Sequence, residues 1–190
     1  MQAKHEIERQ LKNFKENQLI FASRLYRQSL SDTVSESAYY KTLERMCQQN
    51  TLAHVSRGIY CKPARGKYGI RLPSERDVIH EFTREGNGTV IGYALYNHLN
   101  LTTQVPKLIE VYSSLPDQQT KRIGSVRLTQ KELKYSPEAV RMIQILEVLK
   151  NYSEIQDLNQ NQFIKLCEEF APHYSDEVFE YVNSRIHYPK

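Results

Sequence analysis

The side chains with the most chemistry to offer lie in the first part of the chain. Ser37, Tyr40, Lys41 and Arg45 share one face at helical spacing, and Arg57, Lys62 and Arg65 follow shortly after. Hydroxyl, ammonium and guanidinium groups on one helix face can donate to base edges in a major groove, and Lys or Arg on a flanking hairpin can neutralise phosphates. Residues 1–76 hold 14 Lys and Arg against seven Asp and Glu, a net of +7, and the remainder holds 12 against 15, a net of −3. A basic half of this kind points to a polyanionic partner, while a solvated face that binds nothing would give the same count.

Other chemistry has a weaker signal. Pro116-Asp117 and Glu132-Leu133-Lys134 repeat the order PD…ExK of restriction-type nucleases, in which two carboxylates hold Mg²⁺ and a lysine positions the attacking water. Asp117 falls in a polar loop and Glu132 and Lys134 in a charged segment, so solvated side chains are the competing reading. Cys47, Cys61 and Cys167 are odd in number and widely spaced, which provides neither a disulfide framework nor a CxxC knuckle, and no HxxxH is present. No metal and no cofactor is expected. A phosphate loop of the form GxxxxGK(S/T) is missing, and Gly86-Asn87-Gly88 reads as a helix terminator. Tyr93 and Tyr96 are expected to be half-buried with their hydroxyls at the surface.

Positioning these groups takes an ordered scaffold, and the composition allows one. The 190 residues are 39% hydrophobic, with thirteen Tyr and no Trp, and the mean hydropathy is −0.63. No apolar run approaches the roughly 18 residues of a membrane span, and Met1–Gln10 lacks the apolar core of a secretory signal, so a cytoplasmic protein without membrane contact is expected. His5–Lys15 carries Ile7, Leu11 and Phe14 at helical spacing, and Leu19–Tyr26 continues in helical register until Arg27–Thr33. Ser35 is a fitting N-cap for a helix over Ser37–Gln49, whose apolar stripe is Tyr39, Leu43, Met46 and Cys47. Leu52–Ser56 and Ile59–Lys62 alternate around an Arg57-Gly58 turn, and Pro63 closes the unit. Three helices and a hairpin fit a winged helix-turn-helix over 1–68, and a packing or protein-binding module is the alternative.

Gly66–Leu72 reads as a linker to a second domain over 74–190. That domain should hold a helix from the Ser74 cap to about Arg84 and another from Val90 to Leu99. Strands are expected at Leu108–Tyr112 and Arg122–Leu128 around the polar loop Ser113–Lys121. A helix from Pro137 with Val140, Ile143, Leu146 and Leu149 inward should follow, then helices over Asn161–Phe170 and Asp176–Ile186. The fold class is therefore α+β, mostly helical, ending in helices.

Val55–Pro63, VSRGIYCKP, together with GYALYN over Gly92–Asn97 and LNLTTQVP over Leu99–Pro106, resembles the AbiEi-type antitoxin and transcriptional-regulator family. The resemblance covers about 50–150, and the N-terminal helices match by pattern. It implies a bacterial, non-enzymatic protein whose winged helix binds double-stranded DNA at inverted repeats in its own promoter. It also implies a second domain that counteracts a nucleotidyltransferase-type toxin of the same operon. Carried onto this chain, DNA reading falls on Tyr40, Lys41 and Arg45, with Ser37 on the same face, and the wing role on Arg57, Lys62 and Arg65. A palindromic operator would favour a homodimer. The alternatives kept beside it are a protein-interaction module with a scaffolding winged helix, and a Mg²⁺ nuclease.

Overall fold

A computed structural model describes residues 2–67 and 69–188. The chain divides into two compact units, Met1–Glu81 and Phe82–Lys190. Both are built of helices and short strands, and helices end the chain, which makes the fold a mostly helical α+β one.

The first unit runs α1 (Gln2–Leu11), β1 (Leu19–Phe21), α2 (Ala22–Ser29), α3 (Glu36–Gln48), β2 (Ala53–Ser56) and β3 (Ile59–Cys61). The three strands form an antiparallel sheet in the order β1-β3-β2. Three helices and a hairpin are present as expected from the sequence, with β1 added at the sheet edge beside β3. Ser35 caps α3 by accepting from the Ala38 N–H, as its type and place predict. Ile7, Leu11, Ile20, Ala22, Leu25, Leu30, Tyr39, Leu43 and Leu52 form the core.

The helical reading of Leu19–Tyr26 is corrected at its start. Leu19 pairs with Cys61 and Phe21 with Ile59, so these residues are a strand, and α2 begins only at Ala22. Leu19 and Ile20 are both buried, and consecutive apolar residues suit a strand covered on both faces as well as they suit a helix. The first helix also stops at Leu11, short of Lys15.

The linker reading of Gly66–Leu72 is corrected as well. Ala64–Gly66 (β4) and Gly69–Arg71 (β5) pair as a second antiparallel hairpin, with Gly66 opposite Gly69. Gly69 has φ +116, a conformation open to glycine and strained for other residues. The glycines that look like linker composition are turn chemistry.

A helix, α4 (Glu75–Thr83), carries the chain from one unit into the other. Ser74 and Asp77 cap it reciprocally: the Asp77 carboxylate accepts from the Ser74 N–H at 2.8 Å, and the Asp77 N–H donates to the Ser74 hydroxyl at 3.3 Å.

In the second unit β6 (Gly88–Ile91), β7 (Ile109–Ser113), β8 (Thr120–Ile123) and β9 (Val126–Gln130) make a four-stranded sheet in the order β6-β7-β9-β8. The pair β7-β9 is parallel and the other two pairs are antiparallel. The remaining helices are α5 (Gly92–His98), α6 (Pro137–Lys150), α7 (Gln160–Phe170) and α8 (Asp176–Ile186). Helix α6 is central, burying Ala139, Met142, Ile143, Ile145, Glu147 and Val148. Leu149, expected inward, is 48% exposed.

Two further expectations change here. The helix expected from Val90 begins at Gly92, whose φ of +63 turns the chain out of β6. The strand expected over Arg122–Leu128 is two strands, folded back at Gly124-Ser125 with Gly124 at φ +57, so that Ile123 faces Val126. Ser113 and Lys121, expected in the intervening loop, lie in β7 and β8 and are buried.

Candidate nucleic-acid interface

Helix α3 has two opposite faces. Tyr39, Leu43 and Met46 are buried in the core, whereas Ser37, Lys41, Glu44, Arg45 and Gln48 are exposed. The spacing 37, 41, 44, 45, 48 is a continuous stripe along the helix. Three of the four residues expected to read DNA therefore lie together in solvent. The fourth, Tyr40, is half-buried: its ring packs on Tyr39 with centroids 5.1 Å apart, so it sits at the shoulder of the stripe.

Two phenol hydroxyls hold α3 against α2. Tyr39 Oη donates to the Ala22 carbonyl at 3.0 Å, and Tyr26 Oη donates to the Val34 carbonyl at 3.0 Å, just ahead of the Ser35 cap. Burial pushes the Tyr39 hydroxyl far above the ordinary phenol range, so it stays a donor. The turn between the helices is thereby tied at both ends.

The hairpin of β2 and β3 turns at Arg57-Gly58, which leaves Arg57 exposed at its tip. Gly58 has φ +71, and its carbonyl accepts from the Ala22 N–H at 2.9 Å, so the tip is anchored to the start of α2. Lys62 behaves differently from the expectation. Its Nζ donates to the Phe14 carbonyl at 2.8 Å, and its own carbonyl accepts from the Asn17 N–H at 2.8 Å. That ammonium closes the chain after α1, a structural task that sequence spacing did not reveal. Arg65, grouped with the wing by sequence, lies on β4 and belongs to the second hairpin.

One feature of this surface passes unnoticed when charge is summed over halves of the chain. From Arg45 to Ser74 there are six Lys and Arg and no Asp or Glu. The stretch takes in the end of α3, the wing and the second hairpin.

The model of a family described as a family of unknown function, DUF6088, matches residues 6–166. The chain belongs to this family. No curated protein matches it. The matched span of this DUF6088 chain begins within α1 and ends within α7, leaving α8 outside it.

The second unit of the DUF6088 protein holds a buried polar cluster that sequence reading missed. Glu147, 4% exposed, accepts from Tyr112 Oη and Tyr188 Oη at 3.0 Å each, and from Asn151 Nδ2 at 3.2 Å. Asn151 also donates to Tyr96 Oη at 2.9 Å. The hydroxyls of Tyr96, Tyr112 and Tyr188 are held well above the ordinary phenol range, first by burial and then by the Glu147 charge. Tyr96 is thus buried with its hydroxyl engaged internally, where a surface position was expected. A cavity of about 410 Å³ opens beside this cluster, lined also by Tyr93, Glu110 and Lys150. The signal available in the sequence was a lone Glu among apolar residues of a helical stripe.

Among the described residues the carboxylates of the PD…ExK order belong to no group of three metal-ligating side chains. Asp117 pairs with Lys121 at 3.1 Å, and Glu132 and Lys134 are exposed. Among the described residues no group of three His, Cys, Asp or Glu is arranged to hold a metal ion. None of the helices described is long and apolar enough to cross a membrane.

Proposed function

We propose that the chain is a double-stranded-DNA-binding transcriptional regulator, cytoplasmic and without enzymatic activity. It would act on its own promoter. The observation that carries this reading is the exposed stripe Ser37, Lys41, Arg45 on α3, held by two tyrosine hydroxyls and adjoined by an acid-free basic segment. Such a helix offers the donors a major groove is read with, and Arg57 at the wing tip offers a phosphate contact. Tyr40 borders the groove-facing stripe, and Lys62 supports the fold.

The AbiEi-type resemblance extends the proposal. The chain would be the antitoxin of a bacterial toxin-antitoxin or phage-defence operon, its second unit meeting a nucleotidyltransferase-type toxin. Val105 at 82% and Ile164 at 53% exposure leave apolar surface in that unit for a partner. Two copies would read a palindromic operator.

An anisotropy titration against DNA from just upstream of the gene, with scrambled competitor and at two salt concentrations, tests the reading. Specific binding that survives competitor and that Arg45→Ala weakens by about tenfold or more, the scale of one good base contact, is the expected result. Weak binding equal on both DNAs would overturn it and favour a protein-interaction module.

A further inference from the structure

The second hairpin has features that the winged helix does not need. Beyond Ala64, which is buried at its base, the described residues of β4 and β5 are exposed. Ile70 and Leu72 stand 51% and 46% exposed. A two-stranded ribbon without a covered face is marginal in water, so two large apolar side chains left in solvent call for a partner surface.

The register says what kind of surface. Arg65 pairs with Ile70, so a cation and an aliphatic side chain share one face of the ribbon, and Leu72 follows directly after β5. Arg71 pairs with Ala64 on the other face. Gly66 pairs with Gly69 at the end of the ladder, where Gly69 takes φ +116. Arg65 and Arg71 lie within the segment that lacks any carboxylate from Arg45 to Ser74.

We propose that this hairpin is a second DNA-contacting element that enters the minor groove. Guanidinium groups are drawn to the negative potential of a narrow minor groove, and Ile or Leu side chains pack on its sugar walls or wedge between base steps. An exposed ribbon that carries Arg65 and Ile70 on one face, with Arg71 beside them on the strand, meets both demands. Such binding would be insensitive to most base identities and would favour A·T over G·C tracts. This inference rests on the DNA-binding reading above, with α3 supplying sequence discrimination and the hairpin supplying affinity.

The test uses the full chain and the upstream duplex, titrated over a range of salt. In the variant Arg65→Ala/Arg71→Ala the slope of log affinity against log salt should fall by about 1.8, at about 0.9 for each phosphate that is no longer neutralised. Ile70→Ser, which removes no charge, should weaken binding several-fold with the slope unchanged. A polyamide that fills the minor groove should compete with the wild type and leave the residual binding of the double variant unaffected. Circular dichroism melts matching the wild type would establish that both variants are folded. If the wild type binds the duplex while both variants keep its affinity and slope, the hairpin proposal is wrong and the α3 reading stands. If the wild type shows no salt-dependent DNA binding, both fall.

Discussion

Tyr39 does two things with one side chain. Its ring lies in the core of the first unit and its hydroxyl reaches the Ala22 carbonyl at the start of α2. Tyr39→Phe keeps the ring and removes the hydrogen bond that joins α3 to α2 at that carbonyl, which should cost about 1 kcal/mol in urea unfolding. Glu147 is a harsher case, because three donors converge on its carboxylate. Glu147→Ala orphans the Tyr112 and Tyr188 hydroxyls together and opens a cavity beside α6, and a drop of about 3 kcal/mol or more is expected from the same measurement. Cys61 answers to pH instead. Burial pushes its thiol up from an ordinary value near 9 to about 11. An unfolded chain releases that proton first, so stability is intact below pH 9 and falls by about 2–3 kcal/mol as pH rises to 11. Thermal melts of Cys61→Ala and wild type compared at pH 7 and pH 10.5 would measure this; an equal drop in both proteins would refute it.

Among the elements, β6 depends on a single missing atom. A Cβ on Gly88 would stand 2.3 Å from the Tyr112 carbonyl oxygen and 2.5 Å from that of Phe82, both of them backbone atoms with little room to move. Gly88→Ala should therefore destabilise the second unit by about 3 kcal/mol, read as a lowered denaturation midpoint. Sequence patterns located α3 and α6 closely because the Ser35 cap and Pro137 each open a regular apolar stripe, and in the structure Ser35, Ser136, Asn159 and Ser175 all accept from the N–H three residues on. They failed where glycine turned the chain. Gly69, Gly92 and Gly124 each take positive φ, and composition alone does not say whether such a residue marks a linker, a helix start or a tight hairpin. The exposed stripe on α3 was legible for the same reason as its buried one, since helical spacing settles both. Lys62 was not, because its partner Phe14 lies 48 residues away in sequence. The Glu147 cluster likewise joins Tyr112, Asn151 and Tyr188 from three separate places in the chain, a convergence that only the fold creates.

On the scale of the whole molecule, charge is distributed as the sequence arithmetic requires, with the positive excess in the first unit. DNA affinity should accordingly fall steeply between 50 and 200 mM salt, by one to two orders of magnitude for about three phosphate contacts. An affinity flat across that range would remove the electrostatic basis of the proposal. Alkaline titration should likewise act on the molecule as a unit. Tyr39, Tyr96, Tyr112, Tyr135 and Tyr188 are all held above the ordinary phenol range, so their phenolate absorbance should appear together with unfolding, after the exposed tyrosines have titrated.

The strand order β1-β3-β2 bears on how the protein is made. Leu19, Ile20 and Phe21 leave the ribosome long before Cys61, Tyr60 and Ile59, their sheet partners, and the Lys62 ammonium that ties off Phe14 comes later still. Between the completion of α3 at Gln48 and the arrival of β3 at Ile59 the nascent chain carries three helices with β1 unpaired and the core unfinished. The sheet that backs α3 can therefore close only after residues 59–62 have been made, so this unit completes its core late and in a single step.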